Sequence, residues 1–92
     1  MVTRVRTIEE YLMYLEDKGF KFSEDAVGFI FFGKKLTEAP DILVNVAIEV
    51  TLKVKQGFDG SFYVSLLEEF HGNQFSTRYQ ALQYAEEKGI LT

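Results

Sequence analysis

The chain of 92 residues contains no cysteine, one proline, one histidine and no unbroken apolar run longer than five residues. The lack of cysteine excludes disulfides, thiolate metal ligands and a cysteine nucleophile, and a reducing, cytoplasmic location is expected. A helix needs about 20 apolar residues to cross a bilayer. We therefore predict a soluble protein without a membrane span, and Met1 to Arg6 do not lead into the apolar core of a secretory signal.

Positive charge is also scarce. The formal net charge is −4, and residues 1–22, 23–41, 42–60 and 61–92 carry net charges of 0, −2, 0 and −2. Proteins that bind nucleic acids usually show a basic stripe that neutralises phosphates. Because no segment is basic, binding to nucleic acid is the weaker of two interaction hypotheses.

The composition is that of an ordinary globular protein, with 47% apolar and 26% charged residues. No stretch has the low hydrophobicity that is typical of disorder. A chain of this length has enough apolar surface for one core. We expect one domain that spans residues 1–92.

The first helix is predicted by its ends. Thr7 and Glu10 form a capping-box pattern, and Gly19 is a typical left-handed terminator. Between them, one apolar stripe has the spacing i, i+3, i+4 and i+7: Ile8, Tyr11, Leu12 and Leu15. The pattern predicts a helix over residues 7–18.

The last segment has the same design. A shift of 70 positions places Thr7 on Thr77 and Gly19 on Gly89. Duplication is one explanation, but short capped helices converge on these residues, and the intervening segments show no repeat. A helix is predicted over residues 76–88.

The segment from Ile42 to Val54 is apolar at every even position, while polar residues occupy most odd positions. This two-residue period predicts a strand over residues 42–55 with one dry face. The same segment would also line a helix, through Leu43, Val46, Ala47, Val50 and Val54. Its many β-branched residues favour the strand.

Two more strands are predicted around this one. Residues 27–33 contain four consecutive apolar residues bracketed by Gly28 and Gly33, although a helix that begins at Ser23 is a competing interpretation. Asp59-Gly60 is a strong turn signal, which makes residues 62–67 the third strand, antiparallel to the second. The expected fold class is α+β, a three-stranded antiparallel β-meander with the N- and C-terminal helices on one face.

The run from Asp59 to Leu66, followed by Phe75-Ser76-Thr77 and the last helix, resembles the hairpin-then-helix part of HicB-like antitoxin domains. The proline and the glycine-cysteine loop typical of that family have no counterpart in this sequence. The resemblance implies a hairpin followed by a helix, and it assigns no site residue.

Signals for catalysis or metal binding are weak. His71 is the only imidazole, and a lone histidine lacks the further ligands of a metal site. The acidic pairs, such as Glu68-Glu69, are adjacent, and adjacent carboxylates on a helix point about 100° apart. We expect no catalytic, cofactor-binding or metal-binding residue, so a small enzyme ranks last.

The remaining signals are lysine doublets and an aromatic content of 15%. The leading hypothesis is a non-enzymatic interaction or regulatory module that binds a protein partner or a second copy of itself through the open sheet face or an edge strand. The alternative is binding of single-stranded or structured nucleic acid through a lysine and aromatic patch. The candidate interaction surface consists of Phe31, Lys34, Lys35, Lys53, Lys55, Phe58 and Tyr63.

Overall fold

The computed structural model describes residues 6–91, and over that range the chain forms helices without any strand. The helices are α1 (Ile8–Asp17), α2 (Glu24–Thr37), α3 (Asp41–Lys55), α4 (Gly60–Gly72) and α5 (Arg78–Glu87). The predicted α+β class and its three-stranded antiparallel sheet are therefore wrong. Within the described range, no helix has the length and apolar character needed to cross a bilayer. The expectation about a secretory signal falls largely on residues 1–5, outside the described residues.

Both terminal helices are confirmed, the first with its predicted ends and the last slightly shorter than predicted. Thr7 Oγ1 accepts a hydrogen bond from the Glu10 amide at 3.1 Å, and Glu10 Oε1 accepts one from the Thr7 amide at 2.9 Å. At the other end Gly19 has φ +101°, and the Phe20 amide donates to the Leu15 carbonyl at 2.9 Å. The last helix repeats both devices at residues 77–90. Local hydrogen bonding thus fixes where these helices begin and end.

Helix α3 lies at the centre and packs against all four other helices. The predicted strand over residues 42–55 is wrong, because this segment is the buried helix. Its buried residues occur at even and odd positions alike: Leu43, Val44, Asn45, Val46, Ala47, Ile48, Val50 and Thr51. A helix surrounded by others needs no polar stripe. Each β-branched residue lowers helix propensity by only a few tenths of a kcal/mol, whereas burial of a Val or Ile side chain stabilises by about 1.5–3 kcal/mol.

The predicted strand over residues 27–33 is also wrong, and the competing helix from Ser23 is correct. Ser23 Oγ accepts a hydrogen bond from the Ala26 amide at 3.1 Å and caps α2. Gly33 allows close packing of α2 on α4, since a Cβ there would lie 2.8 Å from Tyr63 Cε2. The Tyr63 hydroxyl then donates to the Ile30 carbonyl at 2.6 Å, which joins the two helices inside the core.

The third predicted strand, residues 62–67, is wrong as well, because it lies in α4. Asp59 is the N-cap of this helix instead of part of a hairpin turn, and its Oδ1 accepts a hydrogen bond from the Phe62 amide at 3.0 Å. The buried face has helical spacing: Tyr63, Leu66, Leu67 and Phe70. The hairpin implied by the resemblance to HicB-like domains is therefore not present in this segment.

Candidate interaction surface

Helix α2 directs large apolar side chains away from the core. Its inner face is buried at Ile30, Gly33 and Thr37. On the outer side, Phe29 is 45% exposed, Phe32 is 56% exposed and Leu36 is 52% exposed. These three follow the spacing i, i+3 and i+7, so they share one face of the helix. We call the outer surface formed by Gly28, Phe29, Phe32 and Leu36 the aromatic face of α2; Phe31 points to a different side of the helix, next to Lys34 and Lys35.

Packing on α4 fixes part of this face. The Phe29 ring lies against Gly60, where a Cβ would come within 2.7 Å of the ring atom Cγ. One side of the ring is thus covered, while the other remains open. Beside Gly28, by contrast, a Cβ would have no neighbour within 4 Å. The exposed parts of the three large side chains of this face amount to about 300 Å², with 150–250 Å² taken for a whole large side chain.

Opposite charges lie at the two ends of the aromatic face. Glu24 and Asp25 are in the first turn of α2, and Lys34 and Lys35 are in the last turns. Lys34 Nζ is already bonded to Asp41 Oδ1 at 2.6 Å. This hydrogen bond holds the pKa of Asp41 below its ordinary value. Lys35 is exposed and forms no ion pair with any of residues 6–91.

The other lysines of the predicted surface lie on a different helix. Lys53, at the end of α3, forms an ion pair with Glu49 at 3.4 Å. Lys55 Nζ lies 5.4 Å from the centre of the Phe62 ring. Of the residues predicted from sequence, α2 carries Phe31, Lys34 and Lys35, while Lys53 and Lys55 lie on α3.

The two remaining aromatic residues of that surface belong to the interior. Tyr63 has no exposed area, so it is unavailable to a partner. Phe58 is half-buried, with its ring 5.9 Å from that of Phe22 and 5.5 Å from that of Tyr63. Sequence reasoning missed Phe29, Phe32 and Leu36, whose helical spacing would have indicated a shared face once α2 was treated as a helix.

Within residues 6–91, the side chain of His71 is not hydrogen-bonded to a nucleophile or a carboxylate. Its side chain is exposed beside an open cleft of about 520 Å³ that is shared with Thr37 and Glu38. The Thr37 hydroxyl donates to the Gly33 carbonyl within its own helix at 2.8 Å, so it is not presented to the histidine. Among residues 6–91, no three His, Cys, Asp or Glu side chains are grouped in a way that could hold a metal ion.

A model for a family of unknown function (DUF6123) matches residues 3–91, so the chain belongs to that family. No curated protein matches the chain, and no solved structure does. The family description assigns no activity.

Proposed function

We propose that this family member is a non-enzymatic, cytoplasmic interaction protein that associates with a second copy of itself through the aromatic face of α2. The observation that carries the proposal is the exposure of Phe29, Phe32 and Leu36 along one face of a helix. The largest contiguous apolar patch of a typical monomer covers about 300–600 Å² and is often functional, so this face is the candidate contact surface. The lack of cysteine suits a reducing compartment.

Charge complementarity favours a second copy as the occupant. Glu24 and Lys35 are 11 residues apart. That separation is about three helical turns, so both lie on the same edge of the face. If two α2 helices pair antiparallel about a two-fold axis between Phe29 and Ile30, Glu24 of each copy lies beside Lys35 of the other. A two-fold interface uses one patch twice, so the contact forms at both ends.

The same axis also matches the apolar centre of the face. It brings Phe32 of one copy over Gly28 and Phe29 of the other. The open space beside Gly28 gives the incoming ring room to approach the helix backbone. The centre of the interface is then apolar and the charged pairs lie at its rim, which is the usual arrangement in stable interfaces.

The area of the aromatic face of α2 sets the expected affinity of the dimer. About 300 Å² on each copy gives a total buried area of about 600 Å², which is below the roughly 1,000 Å² that stable specific interfaces exceed and belongs to weak, transient contacts. The net charge of −4 on each copy opposes association at low salt. We therefore expect a weak, concentration-dependent dimer with a Kd on the order of 10–100 μM.

Nucleic-acid binding, the alternative from sequence, gains no specific support. Two of the four lysines proposed for it are in ion pairs, Lys34 with Asp41 and Lys53 with Glu49. The aromatic Tyr63 is buried and cannot stack on a base.

Sedimentation equilibrium over protein concentrations from about 5 μM to about 1 mM tests the proposal. The mass of the wild type should rise from 10.6 kDa towards twice that value. Phe32→Glu should stay monomeric, because it places a carboxylate at the centre of the interface. Tyr79→Glu is the matched control, since Tyr79 is 73% exposed on α5 and lies outside the face. A wild type that remains monomeric throughout would refute the proposal.

A further inference from the structure

A second feature, independent of the aromatic face of α2, is a cleft of about 840 Å³ whose walls come from α1, α3 and α5. Apolar side chains line part of it, including Leu15 of α1 and Val46 of α3. Tyr14 lies at its side, and Asn45 lines it from α3. A concave site with an apolar lining and a few polar groups is typical of small-molecule binding.

The cleft is positively charged although the protein is acidic. Arg78 is neutralised there by Glu49, with Nη1 2.7 Å from Oε1 and Nη2 3.1 Å from Oε2. The Glu49 carboxylate is thereby fully engaged, and its pKa is held below the ordinary value. Arg6 and Lys18, in contrast, form no ion pair with any of residues 6–91. Their two charges are therefore available to attract an anion.

Both of these cations lie over the same aromatic ring. The Arg6 guanidinium carbon is 4.2 Å from the centre of the Tyr14 ring, and Lys18 Nζ is 5.6 Å from it. The Tyr11 and Tyr14 rings are stacked with centres 6.1 Å apart. These contacts hold the two cations at one side of the cleft, close to its aromatic wall.

Asn45 supplies an independent sign of a ligand. Its side chain is buried, and Nδ2 donates to the Arg6 carbonyl at 3.0 Å. Its Oδ1 is also buried, and none of residues 6–91 donates a hydrogen bond to it. A buried amide oxygen without a donor is unfavourable and uncommon in folded proteins. An N–H or O–H group that enters beside the Arg6 segment would satisfy it.

We propose that this cleft binds a small planar aromatic anion that also carries an N–H or O–H donor. The anion pairs with Arg6 and Lys18. The aromatic body lies on the apolar lining beside Tyr14, and the donor bonds to Asn45 Oδ1 after a small displacement of the Arg6 segment. The anionic group, the aromatic body and the donor of the ligand are thus each matched by one feature of the cleft.

Indole-3-acetate has all three groups and is the probe, titrated to about 5 mM by isothermal calorimetry. Naphthalene-1-acetate keeps the anion and the rings but lacks the N–H, and should bind about five-fold more weakly, the value of one net hydrogen bond. Tryptamine keeps the indole but carries a cation, and should show no binding. Absence of indole-3-acetate binding, or equal affinity for all three compounds, would overturn the proposal.

Substitutions in and outside the cleft test where the ligand binds. Lys18→Glu should weaken indole-3-acetate binding about two- to five-fold, as expected for the loss of one exposed charge pair. Lys88→Glu is the matched control, because Lys88 Nζ lies 5.7 Å from the Tyr84 ring in the corresponding position of α5. Asn45→Leu should abolish the preference for indole over naphthalene. If that variant does not fold, the comparison of the two compounds on the wild type still decides the role of the donor. Equal weakening by Lys18→Glu and Lys88→Glu would contradict the assignment.

Discussion

Two glycines of the same helix should respond in opposite ways to substitution by alanine. Gly28 and Gly33 both lie inside α2, so each Gly→Ala change should gain about 1 kcal/mol of helix propensity. At Gly28 a Cβ meets nothing within 4 Å, so that gain should appear in full. At Gly33 a Cβ would lie 2.8 Å from Tyr63 Cε2 and 3.1 Å from Leu67 Cδ1.

The clash at Gly33 cannot be relieved cheaply. Tyr63 has no exposed area, and its hydroxyl is tied to the Ile30 carbonyl. Overpacking of this kind costs about 1–3 kcal/mol. Loss of the hydrogen bond adds about 1 kcal/mol. After the propensity gain is subtracted, Gly33→Ala should destabilise the protein by about 1–3 kcal/mol, which puts it about 2–4 kcal/mol below Gly28→Ala.

Urea unfolding followed by far-ultraviolet circular dichroism measures this difference. The protein concentration should be a few micromolar, where association is negligible. The midpoint of Gly28→Ala should lie above that of the wild type, and the midpoint of Gly33→Ala below it. If Gly33→Ala is as stable as Gly28→Ala, the close approach of α2 and α4 is wrong. If both variants are destabilised, α2 itself is in doubt.

Two further predictions concern polar contacts between helices, one buried and one at the surface. Tyr63→Phe should lower the free energy of unfolding by about 1 kcal/mol, because it removes the hydroxyl that donates to the Ile30 carbonyl. An unchanged urea midpoint would contradict that contact. Glu49→Gln should lower stability at pH 7 by about 1 kcal/mol, since it removes the charged pair with Arg78. Because folding lowers the pKa of Glu49 from its ordinary value of 4.5, its contribution is present above pH 4.5 and is lost as pH falls through the folded-state pKa. The gap in thermal midpoint between wild type and Glu49→Gln should therefore close below that pH, and a constant gap would contradict the assignment.

The helices that sequence reasoning placed correctly are those with local start and stop signals. The capping pairs Thr7 with Glu10 and Thr77 with Gln80 act within one turn, and so do the terminating glycines, Gly19 and Gly89. Such signals are independent of what the helix packs against. They could be interpreted without any knowledge of the fold.

The central helices failed because their patterns depend on their neighbours. In α3 the apolar alternation from Ile42 to Val54 arises in a helix that other helices surround, where burial outweighs β-branched propensity. In α4 the signal was present: Asp59 is a good N-cap residue, and the apolar spacing from Tyr63 to Phe70 is helical. Both of these signals were overlooked because Asp59-Gly60 was interpreted as a hairpin turn.

The candidate surface could be predicted only in part. The excess of aromatic residues pointed to Phe31, and Lys34 and Lys35 follow it on the same helix. Whether an aromatic side chain reaches the surface depends on whether its segment is a helix or a strand. Because both segments were predicted as strands, Tyr63 was placed on the surface and Phe32 was left out of it. The cleft between α1, α3 and α5 joins residues far apart in the chain, such as Arg6 and Asn45, which no local pattern connects.

A charge swap decides whether two α2 helices associate as an antiparallel pair. Sedimentation equilibrium at about 0.5 mM should show dimer for the wild type, mostly monomer for Lys35→Glu, and dimer again for the double variant Glu24→Lys with Lys35→Glu. Recovery is expected because the two-fold axis places each reversed charge beside the other reversed charge of the second copy. Equal masses for all three proteins, or a double variant more monomeric than Lys35→Glu, would contradict the account.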